Sequence, residues 1–359
     1  MRALSTLFPL WLVACAAPDV PVPVALPPPA PPTSAPMTGA TAIAIGAGHG
    51  CAVVDGRVWC WGWPGPRAGD APSDVARVVP GLSDVVALEA HGKQTCARTK
   101  GDALWCWGER VRPPDEARGL DPFAPELYPA PVRVEIAHVT RFGVGRGHAC
   151  AIDDGDVLWC WGWDANGQVG AVADASTPHR VAADVASVDV GEIHTCWTTR
   201  AGALHCQGVP PPAAARGARV DQLNDATASM ACSLTDGRVR CDAVGHWAPT
   251  DFAVPDAVDV TAFALGAAHG CILHADGSVG CWGQNVLGQL ARPEGTGDKV
   301  GTIPGLAATA IGAGWRFTCA LTQSGGVSCW GDNERGACGA PLSQRTVATP
   351  TAVRVELRP

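Results

Sequence analysis

The chain has 359 residues, enough for one large domain or two ordinary ones, and its 47% hydrophobic content supplies ample material for a core. The formal net charge is −8 and no run of Lys or Arg stands out, so the basic stripe that displaces counterions from nucleic acid is missing and no nucleic-acid partner is expected. Fourteen Trp against one Tyr point to Trp held in a repeated motif rather than scattered through a core.

The N-terminus, MRALSTLFPLWLVACAAPDV, places Arg2 before an apolar run over 3–14 that is too short to span a bilayer as a helix. The run ends in Leu12-Val13-Ala14-Cys15, which resembles the lipobox of bacterial lipoproteins. That resemblance implies a signal peptide over 1–14 and lipidation of Cys15, which becomes the first mature residue. The other reading, an ordinary signal peptide with a coincidental cysteine, exports the protein as well. Residues 16–39 contain nine prolines, which exclude helix and sheet and favour extended polyproline II. Residues 15–39 are therefore expected to be a tether and 40–359 the folded domain. No later apolar segment reaches transmembrane length, so the expected membrane contact is the lipid anchor alone, in the periplasm or at the cell surface.

Beyond the tether the cysteines are regular. Apart from Cys15 and Cys338 they fall into seven pairs: Cys51/Cys60, Cys96/Cys106, Cys150/Cys160, Cys196/Cys206, Cys232/Cys241, Cys271/Cys281 and Cys319/Cys329. Each pair is nine or ten residues apart and successive pairs begin 36 to 54 residues apart, so the chain is a sevenfold array. In the nine-spaced pairs Asp55-Gly56 and Asp236-Gly237 sit centrally, as a two-residue hairpin turn requires. Counting outward from Val54 and Arg57 puts Cys51 opposite Cys60 at a non-hydrogen-bonded site, where Cα atoms are about 4.5 Å apart and a disulfide can form. The ten-spaced pairs need a three-residue loop, and Gly202, Gly277 and Gly325 fall on its third position, where a left-handed residue closes the hairpin.

Zinc ligands and redox couples would instead show Cys-x-x-Cys, which is absent, and export favours stable disulfides. The pairs read as cross-strand staples, with no metal, cofactor or catalytic thiol expected. An apolar run precedes each first cysteine. Trp-Gly follows the second in five units (Trp61, Trp107, Trp161, Trp282, Trp330), then come a Gly-rich loop and a short closing strand. Four short strands per unit, repeated radially, is how a propeller protects its sheet edges.

These residues resemble the regulator of chromosome condensation repeat. In the third unit His148, Asp154-Gly155, Trp161-Gly162 and Gly167-Gln168-Val169-Gly170 carry the likeness. In the sixth it rests on His269, Asp276-Gly277, Trp282-Gly283, Asn285 and Gly288-Gln289-Leu290. The likeness runs over 40–357 and the cysteines look like those of exported bacterial members. The resemblance implies an all-β, seven-bladed β-propeller of four-stranded antiparallel blades, with one disulfide per blade. Units four and five, HCQGVPPP and RCDAVGHW, lack Trp-Gly, and unit two carries an insertion over 109–131 expected to project as a loop.

No catalytic constellation is found, because the carboxylates sit largely in turns. His49, His148, His194 and His269 each precede a first cysteine by two, and are expected to satisfy backbone groups of their blades rather than hold metal. Cys338 occupies the apolar place of Val169 and Leu290 and is expected to be buried. Trp63, Trp163, Trp247 and Trp315 fall outside the Trp-Gly position and are the candidate partner-binding residues. The expected function is a monomeric, non-catalytic envelope scaffold that engages a protein or glycan through one propeller face. The alternative is an enzyme inhibitor, by similarity to the exported β-lactamase inhibitory propeller. Export argues against guanine-nucleotide exchange, whose partner is cytosolic.

Overall fold

Asp55 and Gly56 both take positive φ, 49° and 71°, and so do Asp236 and Gly237, 48° and 69°. This is the turn whose twist matches that of the flanking strands. Gly202, Gly277 and Gly325 close the longer loops at φ 83°, 86° and 77°, while Asp102 and Asp156 do the same without glycine at 58° and 57°. Each hairpin sets the register that follows. In the computed structural model Cys51 pairs with Cys60, Cys96 with Cys106 and Cys150 with Cys160. Likewise Cys196 pairs with Cys206, Cys271 with Cys281 and Cys319 with Cys329. The model describes residues 34–63, 70–111, 125–170, 172, 175–208, 222–227, 230–243, 252–254, 257–293 and 299–356. Six disulfides are seen among these, every one with a Cα–Cα distance of 4.1 Å. In the fifth unit Cys232 faces Cys241 in register, with the Cys241 side chain outside the described residues.

Thr33–Pro359 is one unit, an all-β propeller. Its inner strands are Ala40–Ile45, Val85–His91, Arg141–Val144, Val185–Val190, Gln222–Thr227, Val260–Leu265 and the second half of Gly301–Ala313. Each packs on the next and the last returns to the first. Blade one builds outward through His49–Val54, Arg57–Gly62 and Ser73–Val78, all antiparallel.

Three details differ from the expected plan. The long strand Gly301–Ala313 is shared, serving as outer strand of blade six and inner strand of blade seven. Blade four shows three strands among the described residues. The ring closes on blade one, where Arg354–Glu356 adds parallel to Ser73–Val78 and Ser34–Pro36 pairs with Arg354–Glu356. Residues 34–39, expected in the tether, thus belong to the propeller, and Met37 is buried. Unpaired donors on an edge strand invite such a cover. Cys15 and the leader lie outside the described residues.

The core lies between blades. Trp61, Trp107, Trp161, Trp282 and Trp330 are all buried. The Trp61 indole N–H donates to Ala337 O of blade seven at 2.8 Å, and Trp330 to Gln289 O of blade six at 2.9 Å. The Trp61 ring also lies directly on Gly50, where a Cβ would come within 2.3 Å of it. The Gly-rich loops are held from below by one polar residue each: Leu290 N donates to Asn285 Oδ1 (3.0 Å), Val169 N to Asp164 Oδ1 (2.8 Å) and Cys338 N to Asn333 Oδ1 (3.0 Å).

Candidate functional site

One end of the propeller is formed by the turns that join each inner strand to the second. Four of these turns are joined along the ring by three bonds. Ala47 N donates to Gly92 O at 2.6 Å, Trp315 N to Ala47 O at 3.2 Å and Ala267 N to Trp315 O at 2.8 Å. These bonds tie blade six to seven, seven to one and one to two. Inside the collar is a cavity of about 800 Å³, within the range of ligand pockets.

Trp63, Trp163 and Trp315 all line this cavity. Trp63 and Trp163 follow the Trp-Gly of blades one and three. Their backbone N–H groups donate to Gly48 O and Gly147 O, both at 2.8 Å, which fixes them at the mouth. Trp315 stands where the other turns carry Ala47, Gly92, Arg146, Glu192 or Ala267, and is 54% exposed. Trp247 lies outside the described residues.

The paired cysteines contribute nothing to the lining of this cavity. Cys106 is buried among the apolar residues between blades two and three, and Cys281 among those of blades six and seven. Both are bonded, to Cys96 and Cys271, so they act as staples of the blades and stand apart from the mouth.

The mouth also carries charge. The Trp63 ring has the Lys93 ammonium 4.7 Å and the Arg335 guanidinium 4.2 Å from its centroid, within the reach of cation–π attraction. Arg146 pairs with Glu192 at 2.8 Å. Arg316 and Arg335 are exposed and have no carboxylate partner among the described residues, although Asp332 and Glu334 also line the cavity. Sequence reading passed over these cations because they come from blades two, three and seven. A signal was present: the two positions that open this turn vary between units (Gly92-Lys93, Arg146-Gly147, Trp315-Arg316) while the residues around them repeat.

The insertion expected to be a loop over 109–131 starts and ends as strand. Glu109 pairs with Leu127, Arg110 with Glu126 and Val111 with Pro125. This arm continues past Gly108, which stands beside Gln94 at the mouth end of blade two. It therefore extends on the cavity side. Residues 112–124 lie outside the described residues.

The four histidines before the cysteines are buried, and three of them bridge blades. His49 Nε2 meets Thr95 Oγ1 at 2.8 Å, His148 meets Thr195 at 3.2 Å and His269 meets Thr318 at 2.8 Å. In each of these three the Nε2 partner is a hydroxyl of the following blade. Burial lowers His49, His194 and His269 to about 4 and His148 to about 3. His91, at the cavity, is lowered to about 4 by burial first and then by the charges of Arg146 and His194. On the same strand Glu89 is pushed up to about 7 by the surrounding blades, although its side chain is solvent-accessible. Among the described residues no cluster of three His, Cys, Asp or Glu could hold a metal ion. Cys338 is free and buried, and burial raises its pKa, which keeps the thiol protonated.

Residues 260–289 and 308–337 match the Regulator of chromosome condensation (RCC1) repeat. The chain is a propeller in which these two stretches match that repeat. Among curated proteins no sequence matches it. Among solved structures it resembles human WBSCR16 at 19% identity and a TM-score of 0.63, over 83% of this chain and 93% of that one. It also resembles the CRINKLY WD40 ectodomain of the Arabidopsis thaliana receptor kinase ACR4, at 16% identity and a TM-score of 0.54, over 90% and 100% of the two chains. The ectodomain of the Physcomitrella patens receptor kinase CR4 is similar at 19% identity and 0.53, over 82% and 74%. At such identities the likeness is one of fold. Variable turns and arms lie at the ends of the blades, and three tryptophans gather at one of these ends.

Proposed function

We propose that the protein is a non-catalytic, lipid-anchored scaffold of the bacterial envelope that engages a partner through the tryptophan-lined mouth. The observation that carries this reading is the convergence of Trp63, Trp163 and Trp315 on one cavity. Trp and Arg in a concave, partly desolvated setting are the usual anchors of protein interfaces. The arm of blade two extends on the same side. The first strand, Ser34–Pro36, enters with Ser34 at the end of blade one remote from the mouth, since it runs antiparallel to Arg354–Glu356, which parallels Ser73–Val78. Lipidation follows from the Leu12-Val13-Ala14-Cys15 motif, and Cys15→Ser is expected to abolish lipid labelling; unchanged labelling removes the anchor from the proposal.

Envelope extract passed over the wild-type protein, a Trp163→Ala/Trp315→Ala variant and a variant lacking 109–131 tests the binding reading. The wild type is expected to retain a partner that the double tryptophan variant releases. Equal retention by all three proteins would refute the mouth as the binding face. The aromatic rim also suits the enzyme-inhibitor reading, which predicts that the purified propeller slows β-lactamase turnover; full activity in saturating propeller excludes it.

A further inference from the structure

We propose that the mouth receives an acidic loop of a protein partner, with an apolar side chain laid against Trp163 and Trp315 and carboxylates paired to Arg316 and Arg335. This rests on the mouth being the binding face, and specifies what it binds.

Charge complementarity is the first ground. In a chain of net charge −8, Lys93, Arg146, Arg316 and Arg335 meet at one cavity. Arg146 is spoken for by Glu192, but Arg316 and Arg335 have no ion pair among the described residues. Asp332 and Glu334 on the same wall temper the field without pairing these two cations. Arg335 lies over Trp63, and its planar fork is among the groups that line the cavity. A carboxylate is the group that such a fork binds in bidentate fashion.

The second ground separates a protein loop from an acidic glycan. A sugar needs partners for many hydroxyls, and each buried hydroxyl without one costs free energy. The collar spends its own polar groups internally: Ala47 N, Gly92 O, Trp315 N and Trp315 O are bonded around the ring, and Gly48 O and Gly147 O take Trp63 N and Trp163 N. The Trp63 ring, a natural stacking surface, is already beside two cations. Apart from the carboxylates of Asp332 and Glu334 on one wall, the lining offers mainly apolar area from Trp163 and Trp315 and two guanidinium groups. That set fits an aromatic or aliphatic side chain flanked by Asp or Glu.

A phage-displayed random peptide library panned on the intact protein tests the inference, with Trp315→Ala protein as the counter-selection. Enriched peptides are expected to carry Asp or Glu beside an aromatic or aliphatic residue. A synthetic copy of the leading peptide should lose about tenfold in affinity, or more, with Arg316→Ala or Arg335→Ala, and should weaken as salt is raised. Both arginines are exposed, so each variant should melt like the wild type. Enrichment of neutral or basic peptides, or affinity unchanged in both arginine variants, overturns the acidic loop. If those peptides still depend on Trp315, the mouth itself survives as the binding face. Binding of oligogalacturonate in place of any peptide overturns the proposal in favour of a glycan. Failure to enrich any Trp315-dependent peptide also overturns it, and leaves the mouth to be judged by the envelope experiment.

Discussion

In blades six and seven the Trp330 indole lies fully buried, its N–H on Gln289 O at 2.9 Å, while His269 meets Thr318 and one strand, Gly301–Ala313, runs through both blades. Blade four has Gln207 in the place of that tryptophan. The Gln207 amide donates to Gln168 O of blade three at 3.1 Å, so the hydrogen bond to the preceding blade's Gly-Gln loop is kept. The ring is not, and Leu204, Cys206 and Gln207 are only half-buried. The pair of sites separates two roles of the repeat tryptophan. Its N–H tells one blade where the preceding loop lies, which an amide can also do. Its area is what excludes water from the seam.

The largest expected effect tests that separation. Trp330→Ala should cost about 3–5 kcal/mol, the usual range for emptying a buried aromatic site. Trp330→Gln, which copies blade four, should recover only the hydrogen-bond part, about 1 kcal/mol. Gln207→Ala should fall within about 1 kcal/mol of wild type. Urea denaturation of the three variants gives the comparison. If Trp330→Gln is as stable as wild type, the tryptophan's area is not what seals the blades.

Much of this seam was legible in the sequence because it repeats. Seven cysteine pairs at two spacings, each with a turn signal at its middle, are enough to derive the facing strands, and the register agrees at every described pair, Cys96/Cys106 and Cys271/Cys281 among them. Trp63, Trp163 and Trp315 were visible as departures from the repeat. Their convergence was not, because it depends on ring closure between residues as far apart as Ala47 and Trp315. The same holds for the bridging histidines: the partner of His49 is Thr95, 46 positions away, and nothing local to His-x-Cys names it. The strand at Ser34–Pro36 was missed for another reason. A strand of three residues that includes a proline carries no periodicity, and only an edge in need of a cover gives it a place.

A smaller effect concerns the disulfides of the same two regions. Cys319 and Cys329 are fully buried, whereas Cys206 is only half-buried. Their loops are equally long, with a separation of 10, so loop closure alone predicts a similar loss, about 2–3 kcal/mol, when either pair is replaced by serine. Access is what differs. Under graded reductant with alkylation and mass mapping, Cys196–Cys206 should open before Cys319–Cys329. The reverse order would mean that blade four is better protected than its thin seam implies.

The smallest effect sharpens the contrast through proton binding. An unfolded histidine titrates near 6.5, whereas burial holds His269, between blades six and seven, at about 4. Between those values the unfolded chain takes up a proton that the folded chain refuses. Stability from this group is therefore complete above about 6.5 and falls as pH drops toward 4. His49, His91, His148 and His194 are displaced in the same direction; Glu89, raised to about 7, opposes them as a single group, so the five histidines prevail and the whole propeller should melt at a lower temperature at mildly acidic pH. Blade two carries Gln94 at the corresponding position, which makes His269→Gln the natural substitution. It should cost less than about 1 kcal/mol at neutral pH, where only the bond to Thr318 changes, and it should flatten the acid limb of the melting profile by the share of one histidine in five. His194→Gln in blade four should flatten it as much, because burial rather than the bridging hydroxyl dominates both shifts. A larger flattening for His269 than for His194 would instead assign the proton sensitivity to the His–Thr bridge, the feature that ties blades six and seven together.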